Sequence, residues 1–192
     1  MGNHYFIAVP LPDPIKQDLS RLQAKLKENL TYKQWPVSED FHITLKFFGD
    51  LSDNKVHQLK EHLPEIQKQL AFSINVGKIG FFGDSKRPRV LWSGVEKTES
   101  LQSLYSAVEE IASACGIVKE NRPYRPHITI AKNWLGEAKG EQIEQLAHMH
   151  NEQQIMKVDR IVLYQIFPQQ RPKYHPVATF ELKGDGDTGS AD

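Results

Sequence analysis

The chain has 192 residues, of which 39% are hydrophobic and 25% charged, the balance of a water-soluble folded protein rather than a disordered or fibrous one. Lys plus Arg and Asp plus Glu both number 24, so no overall field draws it along a nucleic-acid duplex, and any polyanion must be met locally. The one cysteine, Cys115, cannot close an internal disulfide or build a thiolate metal cage, which fits a reducing cytoplasmic setting.

In chain order, Tyr5 to Val9 reads as a short buried strand, too brief for a signal h-region or a membrane span. Pro10, Pro12 and Pro14 lead into a helix with Ile15, Leu19, Leu22 and Leu26 on one face. Phe41 to Phe48 is an alternating, aromatic-rich strand closed by Gly49-Asp50, and Ser52 or Asp53 can cap a second helix running to about Leu70. Phe72 to Phe82 and Val90 to Val95 form a strand pair across a basic turn, Gly83 to Arg89. A third helix spans Glu99 to Ala114, a strand spans Pro126 to Lys132, and a helical patch is expected from Glu137 to His148. Strands at Val158 to Phe167 and Val177 to Leu182 close the fold. Residues 1–183 are expected to form one α+β domain with mainly antiparallel sheet, and the small acidic tail 184–192 is expected to be disordered.

One internal repeat carries chemistry. His42-Ile43-Thr44-Leu45 recurs 85 residues later as His127-Ile128-Thr129-Ile130. In a strand, i and i+2 share a face, so each imidazole points with its hydroxyl while the aliphatic partners point the other way. With the apolar faces packed on helices, both polar pairs turn toward a common cleft.

Cleaving a phosphodiester without a metal needs a base to activate the nucleophile and an acid for the departing oxygen, and histidine suits both roles near neutral pH. His42 and His127 are therefore the candidate catalytic residues. Thr44 and Thr129 can donate to the non-bridging oxygens, and Lys46, Arg122, Arg125 and Lys132 flank the strands as further phosphate-binding candidates. A lone His-x-Thr is more often a strand histidine hydrogen-bonded to a neighbour; two matched copies turn the balance. His57 and His62, or His148 and His150, lack the helical spacing of metal ligands, and His4 and His175 have no patterned partner. Phe48, Phe82, Trp92 and Tyr124 could stack bases, but core packing is the better account of each, Trp92 above all, and none is taken as a site residue.

The paired strands resemble those of the two-histidine (2H) phosphoesterase superfamily. The flanking segments narrow the resemblance to the bacterial RNA 2′,3′-cyclic phosphodiesterase, or 2′-5′ RNA ligase, family. They are Phe6-Ile7-Ala8, Trp35 before the first motif, Pro88-Arg89-Val90-Leu91-Trp92, and Arg122 to Lys132 around the second. The resemblance implies a bilobal, internally duplicated fold with two mainly antiparallel sheets facing a central cleft and helices on the outer faces. It also implies catalysis by His42 and His127 with Thr44 and Thr129, no metal or other cofactor, and a 2′-phosphate product. His4 stands where many relatives have arginine, and Lys132 often stands as arginine. The expected partner is RNA ending in a 2′,3′-cyclic phosphate, met by a monomer away from any membrane. His42 is taken as the acid for the leaving 3′-oxygen and His127 as the base for water, an ordering that the pseudo-symmetry leaves open. Three other readings stay open: a 2′-5′ ligase, a diesterase for small cyclic nucleotides, and a non-catalytic RNA-end binding module.

Overall fold

Strand β1 (His4–Pro10) has five successive buried residues, Tyr5 to Val9, because it is covered on both faces at the middle of one half of the sheet. It pairs antiparallel with β3 (His42–Asp50) on one side and β8 (Arg160–Ile166) on the other. Beyond β8 lies the edge strand β9 (Tyr174–Glu181). The other half runs β7 (Gln153–Val158), β4 (Phe72–Asp84), β5 (Arg87–Val95) and β6 (His127–Trp134), again antiparallel, with the short β2 (Tyr32–Gln34) on β6. This computed structural model describes residues 3–84, 87–136 and 152–184.

The expected α+β class with antiparallel sheet is what the chain adopts. The two expected sheets occur as two half-sheets that meet between β3 and β6, where the one register pair Ile43↔Ile128 joins them into one open, nine-stranded sheet, with β2 off the main path. Both isoleucines are fully buried. A seam one residue pair long holds the two His-x-Thr strands side by side and lets them diverge on either side of the contact.

Helix α1 (Asp13–Lys27) begins with Pro14 in its first turn and turns Ile15, Leu19 and Leu26 inward. Although it follows β1, it packs behind the other half-sheet, where the buried Gln23 donates to the carbonyls of Ile130 (3.1 Å) and Pro36 (2.9 Å). The second helix ends earlier than its apolar spacing suggests: α2 covers Asp53–His62, and Leu63–Lys68 continues as a 3₁₀ turn. Pro64 cannot donate an amide hydrogen to the helical ladder, so the coil tightens there. Helix α3 (Glu99–Ala114), capped by Thr98 Oγ1 accepting from Leu101 N (3.2 Å), buries Leu101, Leu104 and Val108 behind β3. The turn expected over Gly83 to Arg89 is shorter, because β4 and β5 continue their pairing through Gly83↔Pro88 and Asp84↔Arg87. The helical patch expected at Glu137–His148 lies outside the described residues, as does the tail beyond Gly184. No helix among the described residues is long and apolar enough to cross a membrane.

Glycine makes room on the cleft side of β4. Gly80 is the register partner of Trp92, and a β-carbon there would overlap the six-membered ring of the indole. Gly80→Ala is expected to force Trp92 out of place and cost about 1–3 kcal/mol. Urea unfolding measures this directly, and an unchanged midpoint with an unchanged slope would contradict it.

Candidate active site

The seam register decides the arrangement of the four motif residues. Extending Ile43↔Ile128 by one residue each way in an antiparallel pair sets His42 opposite Thr129 and Thr44 opposite His127. All four side chains leave the same face, and the two histidines become diagonal neighbours, about 7–8 Å apart in a regular ladder. Both rings thus face one cleft, in which a phosphate can meet the two imidazoles and the two hydroxyls together.

Each ring is oriented by the same local device. The Nδ1–H of His42 donates to the carbonyl of Asp40 (2.7 Å), and the Nδ1–H of His127 donates to the carbonyl of Arg125 (2.8 Å). A carbonyl only accepts, so Nδ1 carries the hydrogen and Nε2 keeps its lone pair for the cleft. The Thr44 hydroxyl donates to His42 Nε2 at 3.0 Å. Neither motif shows these carbonyls from residue types, since the acceptor two residues upstream is backbone.

The surroundings of the two rings differ. His42 is enclosed by Phe6 (4.7 Å between ring centres), Tyr174 (5.1 Å, edge-on) and Tyr164 (6.4 Å). Loss of water lowers its pKa to about 4, with the charges of Lys132 and His127 adding to the effect and the Asp40 carbonyl opposing it. His127 is touched edge-on by Phe82 (4.9 Å) and lines a solvent-open groove of about 770 Å³. Burial, and secondarily Lys132, hold it below the usual imidazole value as well. The register turns Lys132 and both imidazoles to the same face of the sheet.

The basic candidates divide. Simple alternation would put Lys46 on the face of His42 and Thr44, but β3 carries a bulge: Ile7 pairs with Lys46 and Ala8 with Thr44, leaving Leu45 as the extra residue. Lys46 is thereby turned into the core, where Nζ donates to both carboxylate oxygens of Glu109 (2.8 and 2.9 Å) and to the Val118 carbonyl (3.0 Å). Its three hydrogens are spent, so the expectation of a phosphate contact from Lys46 is corrected. In β6 the equivalent bulge falls at Ile130, between Leu91↔Ala131 and Trp92↔Thr129. There it carries Lys132 onto the histidine face, and Gln23 takes the carbonyl of the extra residue. Burial and the nearby Lys173 make the Lys132 ammonium easier to deprotonate than an exposed lysine.

Arg122 and Arg125 line the groove beside His127. Arg122 is exposed and held by both carboxylate oxygens of Glu120 (3.1 and 3.0 Å), which offsets its charge. Of the aromatic candidates, Phe82 and Tyr124 line the groove, Trp92 packs over Gly80, and Phe48 packs against the core. Residue-level reasoning missed three contributors. Phe47 is 59% exposed on the groove wall, Tyr174 packs on His42 from β9, and Asp40 accepts from the amides of Lys173 (2.8 Å) and Tyr174 (3.1 Å). Burial raises the Asp40 pKa, against those two bonds. His57 and His62 face solvent beside Glu61 and Glu65, away from the cleft.

The model of the family described as LigT-like phosphoesterase matches residues 9–92 and 94–174, taking in both His-x-Thr strands. The chain belongs to this family. Among LigT-like phosphoesterases it is 38% identical over 190 residues to an RNA 2′,3′-cyclic phosphodiesterase of Geobacillus stearothermophilus, covering 97% of this chain and 60% of that protein. It is 35% identical over 180 residues to the RNA 2′,3′-cyclic phosphodiesterase of Bacillus subtilis, covering 93% and 96% of the two chains. The fold is shared with E. coli LigT complexed with 3′-AMP, at a TM-score of 0.74, 23% identity, and coverage of 95% and 99%.

Proposed function

We propose that this chain hydrolyses RNA 2′,3′-cyclic phosphate ends to 2′-phosphates by general acid–base catalysis between His42 and His127, using no metal or other cofactor. The observation that carries the reading is the seam, which sets two matched imidazole–hydroxyl pairs diagonally across one face. The identity to curated phosphodiesterases over nearly the whole chain supports it. E. coli LigT, solved with 3′-AMP, with ATP and with phosphate, supports a nucleotide-sized ligand. Residues 1–183 act in this reading as one bilobal unit, monomeric and cytoplasmic, whose pseudo-symmetric lobes each supply one motif.

In the reaction a water oxygen attacks phosphorus as the P–O3′ bond breaks. One imidazole takes the proton of the water and the other delivers a proton to the 3′-oxygen, leaving a 3′-hydroxyl and a 2′-phosphate. His127, open to the groove, is placed to meet water and serves as base; His42, walled off by Phe6, Tyr164 and Tyr174, serves as acid at the dry side. Burial above all, and secondarily the charges of Lys132 and His127, hold His42 neutral in the free site, and the bound anion offsets those charges and favours the imidazolium. Thr44 and Thr129 donate to the non-bridging oxygens, where negative charge builds, and Lys132, Arg125 and Arg122 supply positive charge around them.

Incubating the protein with an oligonucleotide ending in a 2′,3′-cyclic phosphate, in chelator, with and without a 5′-hydroxyl acceptor strand, tests the reading. A 2′-phosphate product in both tubes is expected. A 2′-5′ joined product only when acceptor is present would make the chain a ligase, and binding without turnover would make it an end-binding module. Activity confined to cyclic mononucleotides would favour the small-molecule reading.

The pH dependence follows from the two shifts. Both imidazoles lie below the ordinary value of about 6.5 in the free protein, so each is neutral above its folded pKa, and the singly protonated pair is most populated on the acid side. The kcat/KM profile is therefore expected to be bell-shaped with its maximum below about pH 6.5, and the kcat profile to lie higher because the bound phosphate favours protonation. A kcat/KM maximum on the alkaline side of neutrality would contradict this.

A further inference from the structure

A second, smaller recess of about 260 Å³ is lined by Asp40 and Tyr174, both of which contact the ring of His42. Its cations are Lys33 of β2, Lys132 of β6, and Arg171 and Lys173 from the segment before β9. Three separate parts of the chain thus bring like charges to one concavity. Among the described residues no ion pair is formed by any of the four, and the Arg171 side chain bonds only the Gln170 carbonyl (2.8 Å). One carboxylate faces them, that of the buried Asp40, whose Oδ1 is already taken by the amides of Lys173 and Tyr174.

Four cations against one carboxylate in a partly desolvated hollow repel each other unless an anion joins them. Lys132 ties this hollow to the reacting centre, because it lines the recess and the β6 bulge turns it to the face that carries His42 and His127. A strand whose terminal cyclic phosphate lies between the histidines carries its next phosphate one ribose away. We propose that the Lys33–Lys132–Arg171–Lys173 recess binds the phosphate on the 5′ side of the terminal nucleotide, so that the site selects an RNA end over a cyclic mononucleotide lacking that group. This rests on the phosphodiesterase reading for the identity of the ligand.

Calorimetric titration of a nucleoside 2′-monophosphate and the matching 2′,5′-bisphosphate, at low salt, reads the recess without turnover. Wild-type protein is expected to bind the bisphosphate about tenfold more tightly. In Arg171→Ala/Lys173→Ala that preference is expected to fall to near unity while affinity for the monophosphate is unchanged. Lys33→Ala, on a different strand, is expected to reduce the preference several-fold, which keeps the test sound if the double variant folds poorly. Equal wild-type affinity for the two ligands, a preference that survives in the double variant, or an equal loss for both ligands would overturn the proposal. Rates on 5′-phosphorylated and 5′-hydroxyl nucleoside 2′,3′-cyclic phosphates are expected to show the same ratio in kcat/KM. Intact bisphosphate preference without turnover of either substrate would instead overturn the phosphodiesterase reading and leave the recess standing.

Discussion

His127→Ala and His42→Ala are each expected to lower turnover of a cyclic-phosphate oligonucleotide by about 10²–10⁴-fold, the usual contribution of one positioned acid or base. The two losses differ in kind. A substrate with a better 3′ leaving group needs little protonation of the departing oxygen, so it is expected to recover much of the rate in His42→Ala and almost none in His127→Ala. Single-turnover measurements isolate this step from binding and release. The reverse pattern would exchange the two roles, and rescue of both variants would remove the distinction between acid and base. Both side chains are half-buried and end in the cleft, so neither loss is expected to come from unfolding.

The second large effect concerns stability. Lys46→Met leaves the Glu109 carboxylate buried and unmatched, since the side chains of Lys46 and Glu109 are only 4% and 7% exposed. The expected cost is about 3–5 kcal/mol, the range for removing one partner of a buried pair. Lys46→Met/Glu109→Leu is expected to recover most of it, because replacing both charges removes the desolvation penalty together with the attraction. Denaturant unfolding of the wild type, the single variant and the double variant measures the cycle. The rate per folded molecule is expected to stay near wild type in both variants. A large rise in KM with stability unchanged would return Lys46 to the phosphate site.

The Lys46 result shows where reading along the chain reaches its limit. His42 with Thr44, and His127 with Thr129, were legible because a strand repeats every two residues and the motif spans only three. The family followed from the same strands and their flanks, and the helices at Asp13–Lys27 and Glu99–Ala114 from apolar spacing within single elements. Past Leu45 and Ile130 the two-residue rule fails, since one extra residue in each strand reverses which face the next side chain takes. Nothing in either motif marks those bulges. They arise from the pairing of β3 with β1 and of β6 with β5, strands distant in the chain, and they send Lys46 into the core and Lys132 to the histidines.

What the amino-acid sequence determined by itself was the chemistry: two imidazoles, two hydroxyls and the strands that present them. Only the tertiary structure decided their relation, through the seam at Ile43 and Ile128, the aromatic wall that β1, β8 and β9 build around His42, and the cations that Lys33, Arg171 and Lys173 add beside it. The physical reason is range. Side-chain periodicity is set by the local backbone, whereas desolvation, register and the meeting of like charges depend on residues far apart in the chain that only folding brings together.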